Sequence, residues 1–306
     1  PRIGQQTSGV MREFIRKNAL SLGFDDAGIV PAAPLKNELG LLNQWLSSGY
    51  GEGLPYMARN TDKRTNPQLM FPECRSVIVA IINYRQEPND NCISEYGYGR
   101  DYHIVLKEKL RELDKRIAER AGSGYISRLF TDSSPVMEKP WAVRAGLGRQ
   151  GRHTLVIHQD LGSKFCNIET ESSEMTHWDP CADCRLCIDA CPTHALEYPG
   201  VLVAHQCIAF QTIENKGEIP AEIAAVMKDS IFGCDICQNV CPWNQKSGNS
   251  ITSVFKPGAH SQLSPEEWYS ISDEDFKSIC HETVMERTGP EKIRKTAAII
   301  LKNRSR

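Results

Sequence analysis

The chain is organised around the stretch CADCRLCIDACP, residues 181–192, in which four cysteines precede a proline at short, regular spacings. The spacing Cys-x2-Cys-x2-Cys-x3-Cys-Pro is typical of bacterial proteins that hold [4Fe–4S] clusters. Three thiolates two residues apart can bind three corners of one cubane cluster. The fourth cysteine, carried away by the following turn, ligates a different cluster. The stretch therefore predicts two clusters rather than one.

A second stretch, CDICQNVCP at residues 234–242, repeats the last three cysteine positions of that pattern. The position that would complete it is Ile231, which cannot ligate iron. Two cubanes need eight thiolates and the two stretches supply seven. Cys207, which lies between the stretches, is therefore predicted to be the eighth ligand.

Exchange of the fourth cysteine between the clusters divides the ligands into two groups. We predict that the first cluster is held by Cys181, Cys184, Cys187 and Cys241, and the second by Cys191, Cys207, Cys234 and Cys237. The alternative is a pair of structural zinc sites built on Cys-x2-Cys pairs, but evenly spaced cysteines followed by Cys-Pro favour iron–sulfur clusters. The cysteines without ligand spacing are expected mostly to be small buried apolar side chains: Cys74, Cys92, Cys166 and Cys280.

The composition is that of an ordinary globular protein, with 40% apolar and 24% charged residues among 306. The net charge of −2 excludes the global basic field of a general nucleic-acid binder, but it still allows a local basic surface. No apolar run is long enough to span a bilayer, and no secretory or twin-arginine signal is recognisable near the N-terminus. We therefore expect a cytoplasmic protein with no membrane association, whose crowded cysteines bind metal.

The first half of the chain alternates between helical and strand periods, which predicts a mixed fold of the α/β or α+β class. Its clearest strand is the continuous apolar stretch 76–84, which has the pattern of a strand buried on both faces. A shift in composition near residue 176 predicts three units, at residues 1–175, 176–245 and a short helical segment at 246–306. The other predicted elements are helices at 10–22, 39–46 and 102–120, strands at 125–131 and 154–158, and a helix between those two strands.

Two local motifs have more than one interpretation. Residues 146–151 match a Gly-x-Gly-x-x-Gly dinucleotide motif, but a helical stretch precedes it and a strand follows, so NAD binding is not predicted. Asp101-x-His103 matches the start of a cobalamin-histidine motif whose glycine is replaced by Leu106, so His103 is expected at a helix start. Asp132 follows a predicted strand, where it can serve as a chemical acid or as the N-cap of the next helix.

Five segments together resemble the epoxyqueuosine reductase family, over residues from about 10 to 245. The resemblance implies a cobalamin-dependent enzyme that reduces the epoxide of epoxyqueuosine in tRNA to the alkene of queuosine, the last step of queuosine biosynthesis. It also implies a nitroreductase-like cobalamin-binding domain, a ferredoxin-like domain with two clusters, and cobalamin without a protein axial ligand. The segments are Tyr98–His103, Asp132–Lys139, Arg144–Gly151, the cysteine stretch 181–192 and Phe232–Asn244.

By the same resemblance, Asp132 is expected to donate the proton and to contact cobalamin, with Arg59, Tyr96 and Val156 also lining the corrin. An acid near the epoxide lowers the cost of releasing a basic alkoxide. We expect a desolvated pocket to raise the pKa of Asp132, so that it is protonated near neutral pH. The implied partners are tRNA with epoxyqueuosine at the anticodon and an external low-potential electron donor, and the chain is expected to act as a monomer.

The chain departs from the family at residues 151–154, Gly-Arg-His-Thr, where Gly-Lys-Asn-Thr is usual. Many members also have a C-terminal helical-repeat domain, whereas at most one or two helices are expected here after residue 245. The segment 287–306 holds seven Lys or Arg and one acid, which predicts either a phosphate contact or a solvated helix face.

Two alternative functions stay open. A corrinoid reductive dehalogenase would use the same cofactors, but it normally carries a twin-arginine export signal, which is not recognisable here. A non-catalytic electron-transfer subunit would hold the clusters and bind no cobalamin.

Overall fold

The computed structural model describes residues 3–87, 92–132, 134–168 and 178–305. Its strands are β1 (Asp26–Pro31), β2 (Ser76–Asn83), β3 (Arg149–Gln150), β4 (Val156–Ile157) and β5 (Phe165–Ile168). Its helices are α1 (Ile3–Ser21), α2 (Lys36–Ser47), α3 (Pro55–Ala58), α4 (Thr61–Thr65), α5 (Pro67–Met70), α6 (Tyr102–Ala121), α7 (Glu138–Arg144), α8 (Leu186–Asp189), α9 (Ile208–Ile213), α10 (Ala221–Ala224), α11 (Ile236–Asn239), α12 (Pro242–Lys246), α13 (Pro265–Ser270), α14 (Asp273–Ile279) and α15 (Pro290–Arg304). Short 3-10 helices lie at Glu95–Gly97, Ala204–Gln206, Ser253–Phe255 and Ala259–Gln262.

An antiparallel sheet with the strand order β1-β2-β5 lies at the centre of the first half. Its middle strand β2 is the continuous apolar stretch predicted from the sequence, and residues 79–83 are all buried. Alternate residues of a strand point to opposite faces of the sheet. Ala80 and Ile82 therefore pack in the core formed with α1 and α6, while Val79 and Ile81 pack in the core formed with α7. The mixed helix and sheet fold and the predicted helices α1, α2 and α6 are confirmed.

The predicted strand at 125–131 is wrong, because this segment pairs with no strand among the described residues. Both edges of β2 are already occupied, by β1 and β5. Side chains hold the segment instead: Arg128 Nη1 donates to the Met70 carbonyl at 2.8 Å, and its guanidinium lies over the Phe71 ring. Ile126 is exposed. The segment 125–131 is therefore held in place by side-chain contacts and not by pairing with a strand.

The segment after residue 245 holds three α-helices, α13 to α15, so the expectation of at most two is wrong. Trp268 of α13 and Ile293 of α15 share a core with Ile93, Tyr98 and Phe232 from the preceding parts of the chain. The tail is therefore packed against both the loop before α6 and the second cysteine stretch. In the part of the chain that the structure describes, no helix combines the length and the apolar character needed to cross a bilayer.

Candidate functional site

The cysteines assigned to the first cluster surround one cavity of about 190 Å³. Trp243 lies in its wall and donates from Nε1 to the Pro180 carbonyl at 2.8 Å, which ties the second cysteine stretch to the first. Burial, and then the charges of the neighbouring Cys181 and Cys241, raise the pKa of the Cys187 thiol to about 11. Thiolates at this position therefore depend on a bound cation to remain deprotonated. The four cysteines that line the cavity are Cys181, Cys184, Cys187 and Cys241.

The cysteines assigned to the second cluster also lie together. Burial, and then the nearby sulfurs of Cys207 and Cys191, raise the pKa of Cys234 to about 12. The pKa of Cys237 is raised by burial and then by Cys234 and Cys207. Cys187 of the first group also acts on Cys237, so the two groups are neighbours. The placement of both groups agrees with the predicted partition, and iron ligation by them stays a prediction.

None of the twelve cysteines, all of which lie among the described residues, forms a disulfide. Cys92 and Cys280 are buried in the core of the tail, as expected for small apolar side chains, while Cys74 and Cys166 are only partly buried. Among the described residues, no three His, Cys, Asp or Glu side chains converge on a position for a single metal ion. A cubane distributes its thiolates over four iron atoms instead.

The second cysteine stretch lies directly against the loop that carries Tyr96. Gly233 has a φ of +76°, which favours glycine, and a Cβ there would collide with the Ser94 side chain and approach Tyr96 Cε1 to 3.4 Å. The Ser94 amide donates to the Phe232 carbonyl at 2.8 Å, and the Phe232 ring lies 5.8 Å from the ring of Tyr96. This glycine therefore permits a close approach between the cluster loop and the loop before α6.

A buried polar network fixes the same contact. Asp235 accepts hydrogen bonds from the Ser94 hydroxyl and from the Glu95 amide, the latter at 2.7 Å. The Glu95 carboxylate pairs with Lys164, whose ammonium also donates to Asn239 Oδ1 at 2.7 Å. The side chains of Lys164 and Glu95 are only 4% and 6% exposed, so both charges depend on these partners. The network connects β5 and the Tyr96 loop with the turn between Cys234 and Cys241.

Asn244, at the end of the second motif, makes a further link. Its Nδ2 donates to the Ser163 hydroxyl at 3.0 Å and to the Gln238 carbonyl at 2.8 Å. Its Oδ1 accepts from the Ser163 amide, in a space that Gly162 leaves open at a φ of +66°. Asn244 thus holds the second cysteine stretch against the segment that precedes β5.

Asp132 lies between α6 and α7, with its carboxylate held from one side. Tyr102 donates from its hydroxyl to Asp132 Oδ2 at 2.6 Å, and His103 Nε2 lies 3.6 Å from the same oxygen. Asp101 Oδ1 lies 2.7 Å from the other ring nitrogen of His103, and Asp101 is the N-cap of α6, which places His103 at a helix start as predicted. The alternative role of Asp132 as an N-cap is wrong, because α7 begins only at Glu138.

The charges around Asp132 place protons on its neighbours rather than on Asp132 itself. Desolvation opposes its charge, but the hydrogen bonds from His103 and Tyr102 outweigh it, so the pKa of Asp132 lies below its ordinary value. Burial opposes protonation of His103, yet Asp101 and Asp132 raise the pKa of His103 to about 8. Burial, and then the charge of Asp132, raise the pKa of Glu138 to about 7. The expected protonated Asp132 is therefore not found, and an ionised carboxylate lies between two proton-holding groups.

The other predicted cobalamin contacts are placed as follows. The Tyr96 ring lies 6.2 Å from the ring of Tyr102, so it belongs to the aromatic cluster that holds Asp132. Val156 is buried on β4 and packs in the core beside α7. Arg59 is exposed at the end of α3, and its carbonyl accepts from Arg64 Nε at 3.3 Å. Tyr96 and Asp132 are thus brought together, whereas no described contact joins the Arg59 side chain to them.

Sequence reasoning assigned no role to Glu138, Tyr102 or Lys139, although all three lie in segments that carry the family resemblance. Tyr102 reaches Asp132 across 30 residues of sequence, a pairing that no local pattern reveals. The charge of Lys139 interacts with Asp132 and Glu138 and also with the sulfurs of Cys207 and Cys237. Lys139 therefore connects the acid with the second cysteine group, and Glu138 Oε1 is buried without a described hydrogen-bond partner.

Two family models match separate parts of the chain. The model for epoxyqueuosine reductase QueG matches residues 64–133, which contain Tyr96, Asp132 and all of α6. The model for a 4Fe-4S double cluster binding domain matches residues 180–244, which contain both cysteine groups.

Curated relatives and solved structures agree with these matches. An epoxyqueuosine reductase of Cyclobacterium marinum is 36% identical over 90% of this chain and 92% of its own length. One from Leadbetterella byssophila is 38% identical over 95% of this chain and 99% of its own length. The crystal structure of an epoxyqueuosine reductase with an epoxyqueuosine-modified tRNA-Tyr stem loop superposes with a TM-score of 0.88 at 26% identity, covering 95% of this chain and 80% of that one.

Proposed function

The chain belongs to the epoxyqueuosine reductase family and is an oxidoreductase, and from this premise we propose that it reduces epoxyqueuosine in tRNA to queuosine with two [4Fe–4S] clusters and cobalamin. The structure of a relative with a modified tRNA stem loop supports tRNA as the substrate. The observation that carries the proposal is the gathering of eight cysteines into two neighbouring groups, the second of which is linked through Lys139 to an acid held by Tyr102 and His103.

In this proposal, residues 1–175 form a nitroreductase-like domain for cobalamin, residues 176–245 a ferredoxin-like domain, and residues 246–306 a helical tail. The two cysteine groups are neighbours, which suits stepwise electron transfer from an external low-potential donor to the substrate site. The chain is proposed to act as a monomer, because the acid and both cysteine groups come from one copy.

Cobalamin, when bound, would supply the cobalt chemistry that transfers two electrons to the epoxide. The rings of Tyr84, Tyr96 and Tyr102 pack edge to face next to the Asp132 carboxylate, and this aromatic cluster is proposed to form one wall of the cobalamin site. The Asp132 side chain is 57% exposed, so it can face a ligand beside these rings. The residues proposed to contact cobalamin are Arg59, Tyr96, Asp132 and Val156.

Removal of the epoxide oxygen as water takes two electrons and two protons. His103 and Glu138 can each hold a proton near neutral pH, and both interact with Asp132. We assign to Asp132 the transfer of these protons to the departing oxygen. Tyr102 holds the Asp132 carboxylate in place and Asp101 orients the His103 ring. After Asp132 has given up the first proton, His103 can therefore supply it with the second.

The variant Asp132→Asn tests the proton transfer. It is nearly isosteric, so iron and cobalamin content should be unchanged while turnover falls by about 10²–10⁴-fold. Asp114→Asn is the matched control, because Asp114 also accepts from a tyrosine hydroxyl, that of Tyr125 at 2.6 Å, but lies on α6 outside the site. Turnover should be measured anaerobically in single-turnover mode. Wild-type turnover in Asp132→Asn would assign the protons to solvent or to another group.

A further inference from the structure

His153 is a buried histidine in the turn between β3 and β4, and the proposed function gives it no role. Its side chain is only 4% exposed, and it lines the cavity surrounded by the first cysteine group. Among the described residues, its Nε2 has no hydrogen-bond partner. A buried polar nitrogen without a partner costs free energy, so its retention calls for a partner that occupies the cavity.

The proton on the His153 ring can be located from its contacts. The Leu155 amide donates to Nδ1 at 3.2 Å, so Nδ1 is an acceptor and the ring proton lies on Nε2. Nε2 is therefore a donor. This assignment follows from the hydrogen bond to Nδ1, and so it does not depend on how the ring titrates.

The ring is also fixed in position. A Cβ on Gly151 would lie 3.0 Å from His153 Cε1 and 2.6 Å from Ile157 Cδ1, so the absence of a side chain at Gly151 makes room for both. The neighbouring amide of Arg152 already points at the first group, at 3.4 Å from Cys181 Sγ. The turn thus presents a backbone donor to one cysteine sulfur, and the residue that carries the Nε2 donor lines the cavity beside it.

We propose that His153 Nε2 donates a hydrogen bond to a sulfur atom of the first [4Fe–4S] cluster and thereby raises the reduction potential of that cluster. The proposal rests on the cluster assignment made above. A donor directed at a sulfur stabilises the added negative charge of the reduced state more than the oxidised state. In this arrangement, the first cluster becomes an easier acceptor for the external donor, while the second group, which His153 does not line, is unaffected.

Two substitutions separate the hydrogen bond from simple packing. His153→Phe keeps an aromatic ring in the same space and removes the donor. His153→Gln keeps an amide donor at about the reach of Nε2. His158→Phe is the control on the same hairpin, because the Nε2 of His158 faces Asp26 at 3.5 Å and does not line the cavity.

The experiment uses the full chain, reconstituted anaerobically with iron and sulfide, and an EPR-monitored redox titration of each variant. His153→Phe should retain eight irons per chain. It should lower one of the two midpoint potentials by about 59 mV, which corresponds to a tenfold smaller equilibrium constant for one-electron reduction. His153→Gln should restore most of the shift, and His158→Phe should cause none. In wild-type protein grown with ¹⁵N-histidine, pulsed EPR of the reduced cluster should show a ¹⁵N coupling that His153→Phe removes.

Full iron with both potentials and the ¹⁵N coupling unchanged in His153→Phe would overturn the hydrogen bond while leaving the cluster assignment intact. Wild-type protein that cannot hold eight irons would instead overturn the cluster assignment, and this proposal with it. If His153→Phe alone loses iron, the midpoint potential of His153→Gln is the deciding measurement. A potential equal to that of His158→Phe supports the proposed hydrogen bond. A potential shifted downward contradicts it.

Discussion

At the scale of single residues, the proposed proton transfer depends on which groups around Asp132 carry protons. The carboxylate is ionised because Tyr102 and His103 hydrogen-bond to it, while His103 and Glu138 have pKa values raised to about 8 and about 7. Other charged or titratable groups also face this site: Lys139 from α7, Cys166 from β5, and Arg287 from the segment before α15. An acid that exchanges protons with two reservoirs suits a reaction that consumes two.

This arrangement predicts how the rate depends on pH. Both reservoirs have raised pKa values, so each is filled at low pH and empties as pH rises. Single-turnover rates should fall as pH rises through about 7, as Glu138 ionises, and again through about 8, as His103 loses its proton. His103→Gln should abolish the second step and lower the maximal rate by about 10²-fold or more. Glu138→Gln should abolish the first.

The two variants act as controls for each other, because each should leave the other's step in place. An unchanged profile in His103→Gln would mean that solvent replaces the protons directly. The His103 pKa also affects stability. It is raised in the folded state, so its stabilising contribution is complete below the ordinary pKa of 6.5 and is lost as pH rises through about 8.

At the scale of structural elements, the second cysteine stretch is held against the sheet domain by Lys164, Glu95 and Asp235. Removing one partner of a buried ion pair leaves the other charge uncompensated, typically at a cost of about 3–5 kcal/mol. Lys164→Met should therefore lower the free energy of unfolding by about that amount in chemical denaturation. The double variant Lys164→Met/Glu95→Gln should recover most of the loss, because the unpaired charge is gone.

Lys295→Met provides the comparison for the Lys164 prediction. Lys295 pairs with Glu291 on the exposed face of α15, where solvent screens the two charges and the pair adds little to stability. If Lys164→Met and Lys295→Met changed stability equally, the buried network would not be what holds the two parts together.

The elements also indicate how far sequence reasoning reaches. Strand β2 and helix α6 were predictable because their apolar patterns are long and regular. The segment 125–131 was not, because whether a β-rich stretch finds a pairing partner depends on β1 and β5, which lie far away in sequence. The spacing of the cysteines is a local pattern, so it predicted the two groups. The contacts of Asp132 and the burial of His153 depend on residues far away in sequence, so they appeared only in the fold.

At the scale of the whole molecule, the helical tail contributes to the core and its basic residues are mostly paired within the chain. Lys292 donates to the carbonyls of Gln211 and Asn215, both at 2.6 Å, and Arg304 pairs with Asp229. Arg287 differs, because its charge acts on Asp132 and its side chain is 55% exposed, although it lies 3.5 Å from Glu214. The segment before α15 therefore brings one exposed cation close enough to act on Asp132.

Arg287 is thus expected to contact a phosphate of the tRNA. Binding of an epoxyqueuosine-containing stem loop should be measured across salt concentration. Arg287→Ala should reduce the log–log salt slope by about one unit. Arg294→Ala is the control, because Arg294 is engaged with the Ile271 carbonyl at 3.0 Å and with Asp273 at 2.8 Å. Equal slopes for wild type and Arg287→Ala would locate the phosphate contacts elsewhere.

This chain is proposed to reduce epoxyqueuosine in tRNA with two [4Fe–4S] clusters and cobalamin. The most direct test incubates the anaerobically reconstituted chain with an epoxyqueuosine-containing tRNA stem loop and a low-potential reductant, followed by mass spectrometry of the digested nucleosides. We predict that the modified nucleoside loses one oxygen atom, and that it does so only when cobalamin and reductant are both present. An unchanged nucleoside, from protein that holds eight irons and one cobalt per chain, would contradict it.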